Sequence, residues 1–155
     1  MQWTCSMIKY SIECWLYNDL QDRFLLLRCP VTHRHDEYWQ PVTGGRNAEE
    51  PCVEACLREV EEETGVKLAV EMLETVIPEF CFCIPEARIE LRKPVYLARV
   101  RSEKVVLSSE HIGYYWFDAT EVESHLHWDS NKESFRQVLA FTRRQFAPAP
   151  SSPSR

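Results

Sequence analysis

One stretch near the centre of the chain repeats apolar residues at three- and four-residue steps, with glycines on both sides of it. Gly44 and Gly45 precede the stretch, and Gly65 follows it. Positions three and four apart are neighbours on a helical surface, so the repeat forms one face of a helix. A glycine directly after such a repeat commonly ends the helix. We therefore predict a helix over residues 49–64, whose apolar face consists of Val53, Cys56, Leu57, Val60 and Thr64.

Runs rich in β-branched and aromatic residues predict strands before and after this helix. The first two runs do not alternate cleanly between apolar and polar residues, which favours strands that are partly buried on both faces. Residues 78–84 are apolar but short, so they form either a strand or a loop, and residues 85–93 read as a charged connection. The remaining predicted strands are 9–17, 24–29, 67–76, 94–101 and a short aromatic strand within 109–118.

A second amphipathic pattern closes the chain and predicts a helix over residues 131–146. We expect Ser130 or Asp129 to cap its N-terminus, because short polar side chains accept hydrogen bonds from the first free backbone amides. Residues 147–155 form a Pro- and Ser-rich tail that we expect to be disordered. The order of elements predicts one α+β domain over residues 1–146, a sandwich with a mixed sheet between helices.

Charge and composition exclude several classes of function. The net charge of −6 argues against an extended nucleic-acid surface, and no apolar run is long enough to span a membrane. We see no secretory signal, and the seven cysteines form no C-x-x-C pair. We therefore expect reduced thiols in a cytoplasmic protein. Its partner would be a small molecule, and a homodimer is the default expectation for its assembly.

The central helix carries an unusual concentration of carboxylates. At about 100° per residue, Glu59, Glu62 and Glu63 fall within an arc of about 100°, beside the apolar face. Like charges on adjacent turns destabilise a helix unless they are neutralised. A hard divalent cation such as Mg²⁺ or Mn²⁺ would neutralise them and keep positions free for water and phosphate. The alternative is a solvated acidic face, the common fate of a Glu-rich run.

The complete spacing of this region favours the metal-binding alternative. Gly44 is followed after five residues by Glu50, then after seven by Arg58-Glu59-Val60, then by Glu62-Glu63 and Gly65-Val66. This pattern resembles the Nudix box at every constrained position. The resemblance implies a Nudix fold and a hydrolase that acts on a phosphoanhydride with Mg²⁺ or Mn²⁺. It implies that the catalytic and metal-binding residues include Glu59, Glu62 and Glu63, with Arg58 fixing the rotamer of a box glutamate.

Two further segments resemble one branch of the family, the dihydroneopterin triphosphate pyrophosphatases (dATP pyrophosphohydrolases). These are W-Q-P-V-T-G at residues 39–44 and E-H-I-G-Y-Y-W-F-D at residues 110–118. The resemblance implies that Glu110 is a further metal ligand or the base that activates water; otherwise it is a surface glutamate. Trp39 could stack on a heterocycle and Thr43 could bind a phosphate or a base edge, whereas a core position is the alternative for Trp39.

Three more residues are candidates for contact with the substrate. Lys9 and Arg28 could each hold a phosphate, and the branch has basic residues near both positions, although each alignment needs a one-residue slip. Ser130 begins the last helix within a W-S-N-like element, where a helix N-terminus could receive a phosphate or pterin oxygen. One departure from the family pattern is Glu49-Glu50, where Gly-Glu is common, and it suggests a different loop conformation.

These features predict hydrolysis of a nucleoside triphosphate or dihydroneopterin triphosphate to the monophosphate and pyrophosphate. Three alternatives remain open. A dinucleoside polyphosphate hydrolase, such as one acting on diadenosine tetraphosphate, shares the E-H segment. A cap or RNA pyrophosphohydrolase is disfavoured by the acidic charge. A non-catalytic nucleotide-binding module with this fold would have no reason to keep the three carboxylates.

Overall fold

A computed structural model of the protein describes residues 7–146. Within this range, seven strands and three helices form one mixed sheet with helices on both faces, as the sequence predicts. The strands are β1 (Met7–Asn18), β2 (Arg23–Cys29), β3 (Tyr38–Gln40), β4 (Val42–Gly45), β5 (Leu73–Ile84), β6 (Ile89–Val100) and β7 (Gly113–Asp118). The helices are α1 (Cys52–Thr64), α2 (Val122–His125) and α3 (Asp129–Gln145).

Strand β1 is the centre of the sheet. It pairs in parallel with β6 along nearly its whole length, and it pairs antiparallel with β4 and then with β2. Strand β5 extends the sheet beyond β6, while β3 and β7 both pair with β2. This arrangement brings β4, which leads into α1, directly beside residues 11–14 in the middle of β1.

Alternate side chains of β1 enter two different cores, which explains why its sequence is apolar almost throughout. Ile12, Cys14 and Leu16 pack on one face against α1, where they meet Ala55, Cys56 and Val60. Trp15 and Tyr17 point to the other face and pack with Phe135 and Val138 of α3. Leu25 and Leu26 of β2 likewise enter opposite cores, so the expectation that the first two strands are partly buried on both faces is confirmed.

Both long helices begin at positions that differ from the sequence prediction. Helix α1 begins at Cys52 because Pro51 takes an extended conformation at the N-cap, with φ −61° and ψ 143°. Before it, Glu49 has a φ of 64°, so it occupies the left-handed conformation that glycine adopts more easily. Helix α3 begins at Asp129, and the predicted cap by Ser130 or Asp129 is wrong. Trp128 is the N-cap residue, and its carbonyl accepts the first helical hydrogen bonds.

The region between the two long helices also differs in detail from the prediction. Residues 78–84 continue one long strand, β5, which forms a hairpin with β6. The charged segment 85–93 is a short turn followed by the start of β6, so most of it is not a loop. The start of the strand predicted over 67–76 is a single 3-10 turn, Val70–Met72. Propensity alone did not show that cross-strand pairing would extend these strands.

Other expectations concern the ends of the chain, membrane helices and cysteines. The predicted disordered tail, 147–155, and residues 1–6 lie outside the described residues. No helix between residues 7 and 146 is long and apolar enough to cross a membrane. Cys83 is disulfide-bonded, so the expectation that all cysteines are reduced is wrong at this position. The free thiols among the described residues are those of Cys14, Cys29, Cys52, Cys56 and Cys81.

The end of α1 generates a prediction about stability. Gly65 has a φ of 74°, and a Cβ added there would lie 3.2 Å from the Cβ of Val106. We expect Gly65→Ala to lower the free energy of unfolding by about 1–2 kcal/mol, because an L-residue is strained in this conformation. Urea unfolding measures the change. Gly113→Ala, where the nearest atom is 3.7 Å away, is the control, and an equal loss in both variants would contradict the prediction.

Candidate active site

Four carboxylates line one cavity of about 280 Å³ between α1, β4 and the loop before β7. Helix α1 supplies Glu59, Glu62 and Glu63, and the loop supplies Glu110. The helical period puts the first three on one side of α1, as the sequence predicts. The fourth is brought to them only by the fold. The remaining lining residues are Thr43, Gly44, Gly45 and Ser108.

Glu63 is the most perturbed of these carboxylates. Its residue surface is only 5% exposed, and its Oε2 atom has no hydrogen-bond partner. Burial, together with the neighbouring charges of Glu59, Glu110 and Glu62, raises the pKa of Glu63 to about 8. A buried carboxylate oxygen without a donor is costly. Its environment therefore suits a cation.

Arg58 holds the other box glutamates in place. Its guanidinium binds both carboxylate oxygens of Glu50, through Nε at 2.9 Å and a terminal nitrogen at 3.0 Å. The other terminal nitrogen donates to Glu59 Oε1 at 2.9 Å and to Glu62 Oε2 at 3.2 Å. Arg58 also donates to the carbonyl oxygen of Gly45 at 3.0 Å. The expected pairing is present, and it fixes α1 to the end of β4.

This pairing divides the carboxylates into two electrostatic classes. The guanidinium of Arg58 lowers the pKa of Glu50 to about 2, so Glu50 stays ionised and serves as an anchor. The pKa of Glu59 is raised, chiefly by burial, although its hydrogen bond from Arg58 opposes the shift. Negative charge is therefore unfavourable at Glu59 and Glu63, whereas at Glu50 the guanidinium of Arg58 compensates it.

Gly44 is required by the close approach of β4 to α1. A Cβ at this position would lie 2.1 Å from Cδ of Glu59, well inside any allowed contact. Gly45, the next residue, has nothing within 4 Å of the same added atom. The first glycine therefore lets the Glu59 carboxylate lie against the strand, whereas the second has no such steric role.

The donor set fits a hard divalent cation, which takes carboxylate oxygens. The unpartnered buried oxygen of Glu63 and the mutual repulsion of the lining carboxylates are the observations that support this fit. In the described part of the chain, no group of three acidic, histidine or cysteine side chains is positioned to hold a metal ion. Arg58 donates hydrogen bonds to Glu59 and Glu62, so one oxygen of each of these lining carboxylates is already engaged by a cationic side chain of the protein.

A second cavity of about 390 Å³ adjoins the acidic one. The two cavities share the lining residues Thr43, Gly44 and Gly45 of strand β4, so they adjoin at this strand, and together they are called the cleft. The second cavity has both apolar walls and cationic side chains. The apolar walls are Phe82, Ile84, Leu91 and Trp128, and the polar lining is formed by Lys9, Ser11, Gln40, Lys93, Ser130 and Asn131.

The structure brings together three of the five predicted substrate-binding residues. Thr43, Lys9 and Ser130 all line the larger cavity, although they come from three different elements. Trp39 packs instead against the core, with its ring 5.2 Å from that of Phe117 in an edge arrangement. Arg28 lies over the Trp39 ring and pairs with Glu37. Neither Trp39 nor Arg28 lines the two cavities.

Sequence reasoning missed the buried polar group beneath the larger cavity. Glu13 in β1 is fully buried and forms an ion pair with Lys93 of β6, at 2.7 Å. It also accepts a hydrogen bond from Asn131 of α3 at 2.9 Å. The available signal was the carboxylate of Glu13 between the apolar residues Ile12 and Cys14, whereas Lys93 follows Arg92 in a charged stretch and gave no such signal. A charge in such a position is buried only when it is paired.

Fold and site together define an α/β/α sandwich in which an acidic helix and an aromatic-lined cavity share one cleft. A NUDIX domain model matches residues 7–138, which is most of the chain. The chain belongs to the NUDIX family, and its fold is that of a Nudix hydrolase. Comparison with curated protein sequences gives no significant match.

Solved structures with the same fold come from several organisms. The Escherichia coli dihydroneopterin triphosphate pyrophosphohydrolase has a TM-score of 0.72 at 23% identity, over 88% of this chain and 99% of that chain. A Caenorhabditis elegans Ap4A hydrolase has a TM-score of 0.67 at 21% identity, with coverages of 86% and 98%. The MutT protein of Methanosarcina mazei has a TM-score of 0.71 at 23% identity, with coverages of 89% and 96%. At these identities the likeness establishes the fold.

The two adjacent glycines provide a matched pair of variants. We expect Gly44→Ala to lower kcat/KM for metal-dependent hydrolysis by about 100-fold or more, because the added methyl displaces the Glu59 carboxylate. Gly45→Ala should lower it at least about tenfold less than Gly44→Ala does, because its methyl meets no protein atom within 4 Å and leaves the Glu59 carboxylate in place. Steady-state kinetics on both variants, with circular dichroism to verify folding, measure the difference. Equal activity in the two variants would show that Glu59 tolerates displacement.

The raised pKa of Glu63 generates a prediction about pH. Its folded-state pKa of about 8 exceeds the ordinary 4.5, so the folded protein keeps a proton that the unfolded chain releases. Wild-type stability without metal should therefore fall between pH 4.5 and 8, relative to Glu63→Gln. We expect the variant to be more stable by about 2–4 kcal/mol at pH 8 and nearly equal at pH 4.5. Urea unfolding in EDTA measures this. A difference that is independent of pH would contradict it.

Proposed function

We propose that this protein hydrolyses a phosphoanhydride bond of a nucleoside triphosphate or of dihydroneopterin triphosphate, with Mg²⁺ or Mn²⁺, and releases pyrophosphate and the monophosphate. The observation that carries the proposal is that the two cavities adjoin at residues 43–45 of β4. One cavity is acidic and suits metal-neutralised phosphates, whereas the other has apolar walls and suits a flat ring. A molecule with a heterocycle at one end and a polyphosphate at the other matches both.

The carboxylates have distinct roles in the proposed reaction. A bound divalent cation would supply charge neutralisation at the phosphate oxygens and would lower the pKa of the attacking water. Glu59 and Glu63, with Glu62 beside them, are the proposed ligands. Glu110 faces them across the cavity, where it either completes the ligand set or accepts the water proton. The water oxygen forms a new bond to phosphorus as the bridging P–O bond breaks, and the oxygen of that bridge leaves with pyrophosphate.

Basic and polar residues of the larger cavity would hold the rest of the substrate. Lys9 has no ion-pair partner among residues 7–146, so its charge is available for a phosphate. Ser130 lies in the first turn of α3, where free backbone amides favour an anion. Thr43 lies where the two cavities meet, so its hydroxyl can bind the group that joins the ring to the phosphates. Arg28 and Trp39 stay weaker candidates because they lie outside the cleft.

A substrate screen with matched variants tests the proposal. Product formation would be followed by anion-exchange chromatography, with Mg²⁺ and Mn²⁺, on dihydroneopterin triphosphate, the deoxynucleoside triphosphates and diadenosine tetraphosphate. The triphosphates would give a monophosphate and pyrophosphate, whereas diadenosine tetraphosphate would give two nucleotides. We expect Glu63→Gln to lower kcat/KM by about 100-fold or more, because it removes a charged metal ligand. Glu61→Gln is the control, because Glu61 lies on the same helix but outside the cavity, 3.9 Å from Lys67.

Each outcome of the screen has a direct reading. Turnover that requires metal and is lost only in Glu63→Gln supports the proposal, and the best substrate identifies the branch. A preference for diadenosine tetraphosphate would contradict the proposal and would identify the protein as a dinucleoside polyphosphate hydrolase. No turnover with either metal, together with no thermal stabilisation by metal and nucleotide, would favour a binding module.

A further inference from the structure

Glu13 lies beneath the larger cavity and organises the polar groups that face it. Besides Lys93 and Asn131, its carboxylate accepts hydrogen bonds from Trp15 Nε1 at 2.8 Å and from Ser134 Oγ at 2.6 Å. Glu13 and Ser134 are fully buried, and Lys93 and Asn131 are 5% and 3% exposed. Each donor therefore has one fixed position, because a buried carboxylate with four donors leaves little freedom.

Lys93 offers hydrogen-bond donors to the cavity, and its positive charge is already paired with Glu13. Its Nζ donates one hydrogen bond to Glu13 Oε1 and lies 5.2 Å from the centre of the Phe82 ring. An ammonium group has three donors and no acceptor, so hydrogen-bonding capacity remains on the side that lines the cavity. Because Glu13 already compensates the charge, this group suits a neutral carbonyl oxygen. The unpaired charge of Lys9 in the same cavity suits a phosphate.

Asn131 presents an acceptor beside this donor. A carboxylate can only accept, so the contact with Glu13 requires the amide nitrogen of Asn131 to face it. The amide oxygen then points away from Glu13. No described residue donates to that oxygen, and it is not enclosed by protein. Lys93 and Asn131 donate to the same Oε1 atom of Glu13, so the Lys93 ammonium group adjoins the side-chain amide of Asn131.

We propose that Lys93 and Asn131, positioned by Glu13, select substrates whose ring has a carbonyl oxygen beside a ring N–H. This edge occurs in 6-oxopurines, 4-oxopyrimidines and 4-oxopteridines. The inference deepens the proposed function, on which it rests, by naming the substrate class. Adenine and cytosine have an amino group at the same place, and an ammonium donor cannot accept a hydrogen bond from it. Phe82, Leu91 and Trp128 provide the apolar walls against which such a ring can pack.

Two pairs of nucleoside monophosphates differ at this ring edge while the sugar and the phosphate stay the same. Inosine and adenosine monophosphates differ at the oxo or amino edge of the same purine, and uridine and cytidine monophosphates differ likewise in a pyrimidine. With Mg²⁺ present, NMR titrations that follow the Trp128 indole and Asn131 amide signals measure their dissociation constants. We expect the oxo member of each pair to bind on the order of ten- to a hundred-fold more tightly.

Variants test whether this selectivity comes from the named residues. The double variant Glu13→Gln/Lys93→Met removes both buried charges together, and it should reduce the preference to about twofold or less. Asn131→Ala keeps the Glu13–Lys93 pair, and it should lower the preference even if the double variant does not fold. Lys132→Met, on α3 but outside the cavity, should keep the full preference.

The outcomes separate this inference from the proposed function. Monophosphates have no anhydride bond, so their binding does not depend on hydrolysis. Equal affinities within each pair, or a preference that persists in folded double and Asn131→Ala variants, would overturn the inference even if triphosphates are hydrolysed. An oxo preference that these variants remove would support it even if the substrate screen shows no turnover.

Discussion

The structure depends on gathering like charges into one cavity while keeping the surrounding helix stable. Glu59, Glu62, Glu63 and Glu110 repel one another, and only part of that repulsion is relieved within the protein. Arg58 relieves it on one side, because it binds three glutamates and the carbonyl of a β4 glycine. On the other side, the buried oxygen of Glu63 has no donor. The remaining imbalance is what a divalent cation would correct.

Two buried carboxylates lie near the same cleft, and their surroundings are opposite in hydrogen-bonding character. Glu13 is surrounded by four donors, so its negative charge is satisfied and it serves as a structural anchor. Glu63 is surrounded by other carboxylates and has an unpartnered oxygen, so its charge is costly without a ligand. The contrast shows that burial alone does not mark a functional carboxylate. The number of hydrogen-bond donors around a buried carboxylate decides whether the group stabilises the fold or needs a bound ligand to offset its charge.

The central helix and its charges could be predicted because their information is local. The apolar repeat, Gly65 and the positions of three glutamates all lie within one short segment, and helical geometry converts their spacing into a face. Strand ends were less predictable, since the pairing of β5 with β6 extends both strands through residues that have weak strand propensity. The start of α3 was missed for a similar reason. Trp128 begins the helix without a side-chain cap, while Asn131 is held by Glu13 rather than by local capping.

By itself, the sequence determined the sandwich class, the acidic face of α1 and the family to which the chain belongs. Only the tertiary structure decided which other residues share the cleft. Lys93 and Asn131 are 80 and 118 positions from Glu13, and no local pattern connects them. Trp39, which looked suited to stacking, is turned into the core, whereas Trp128 lines the cavity. Periodicity fixes the direction of side chains within one element, but the packing of β1, β6 and α3 determines which of those directions converge.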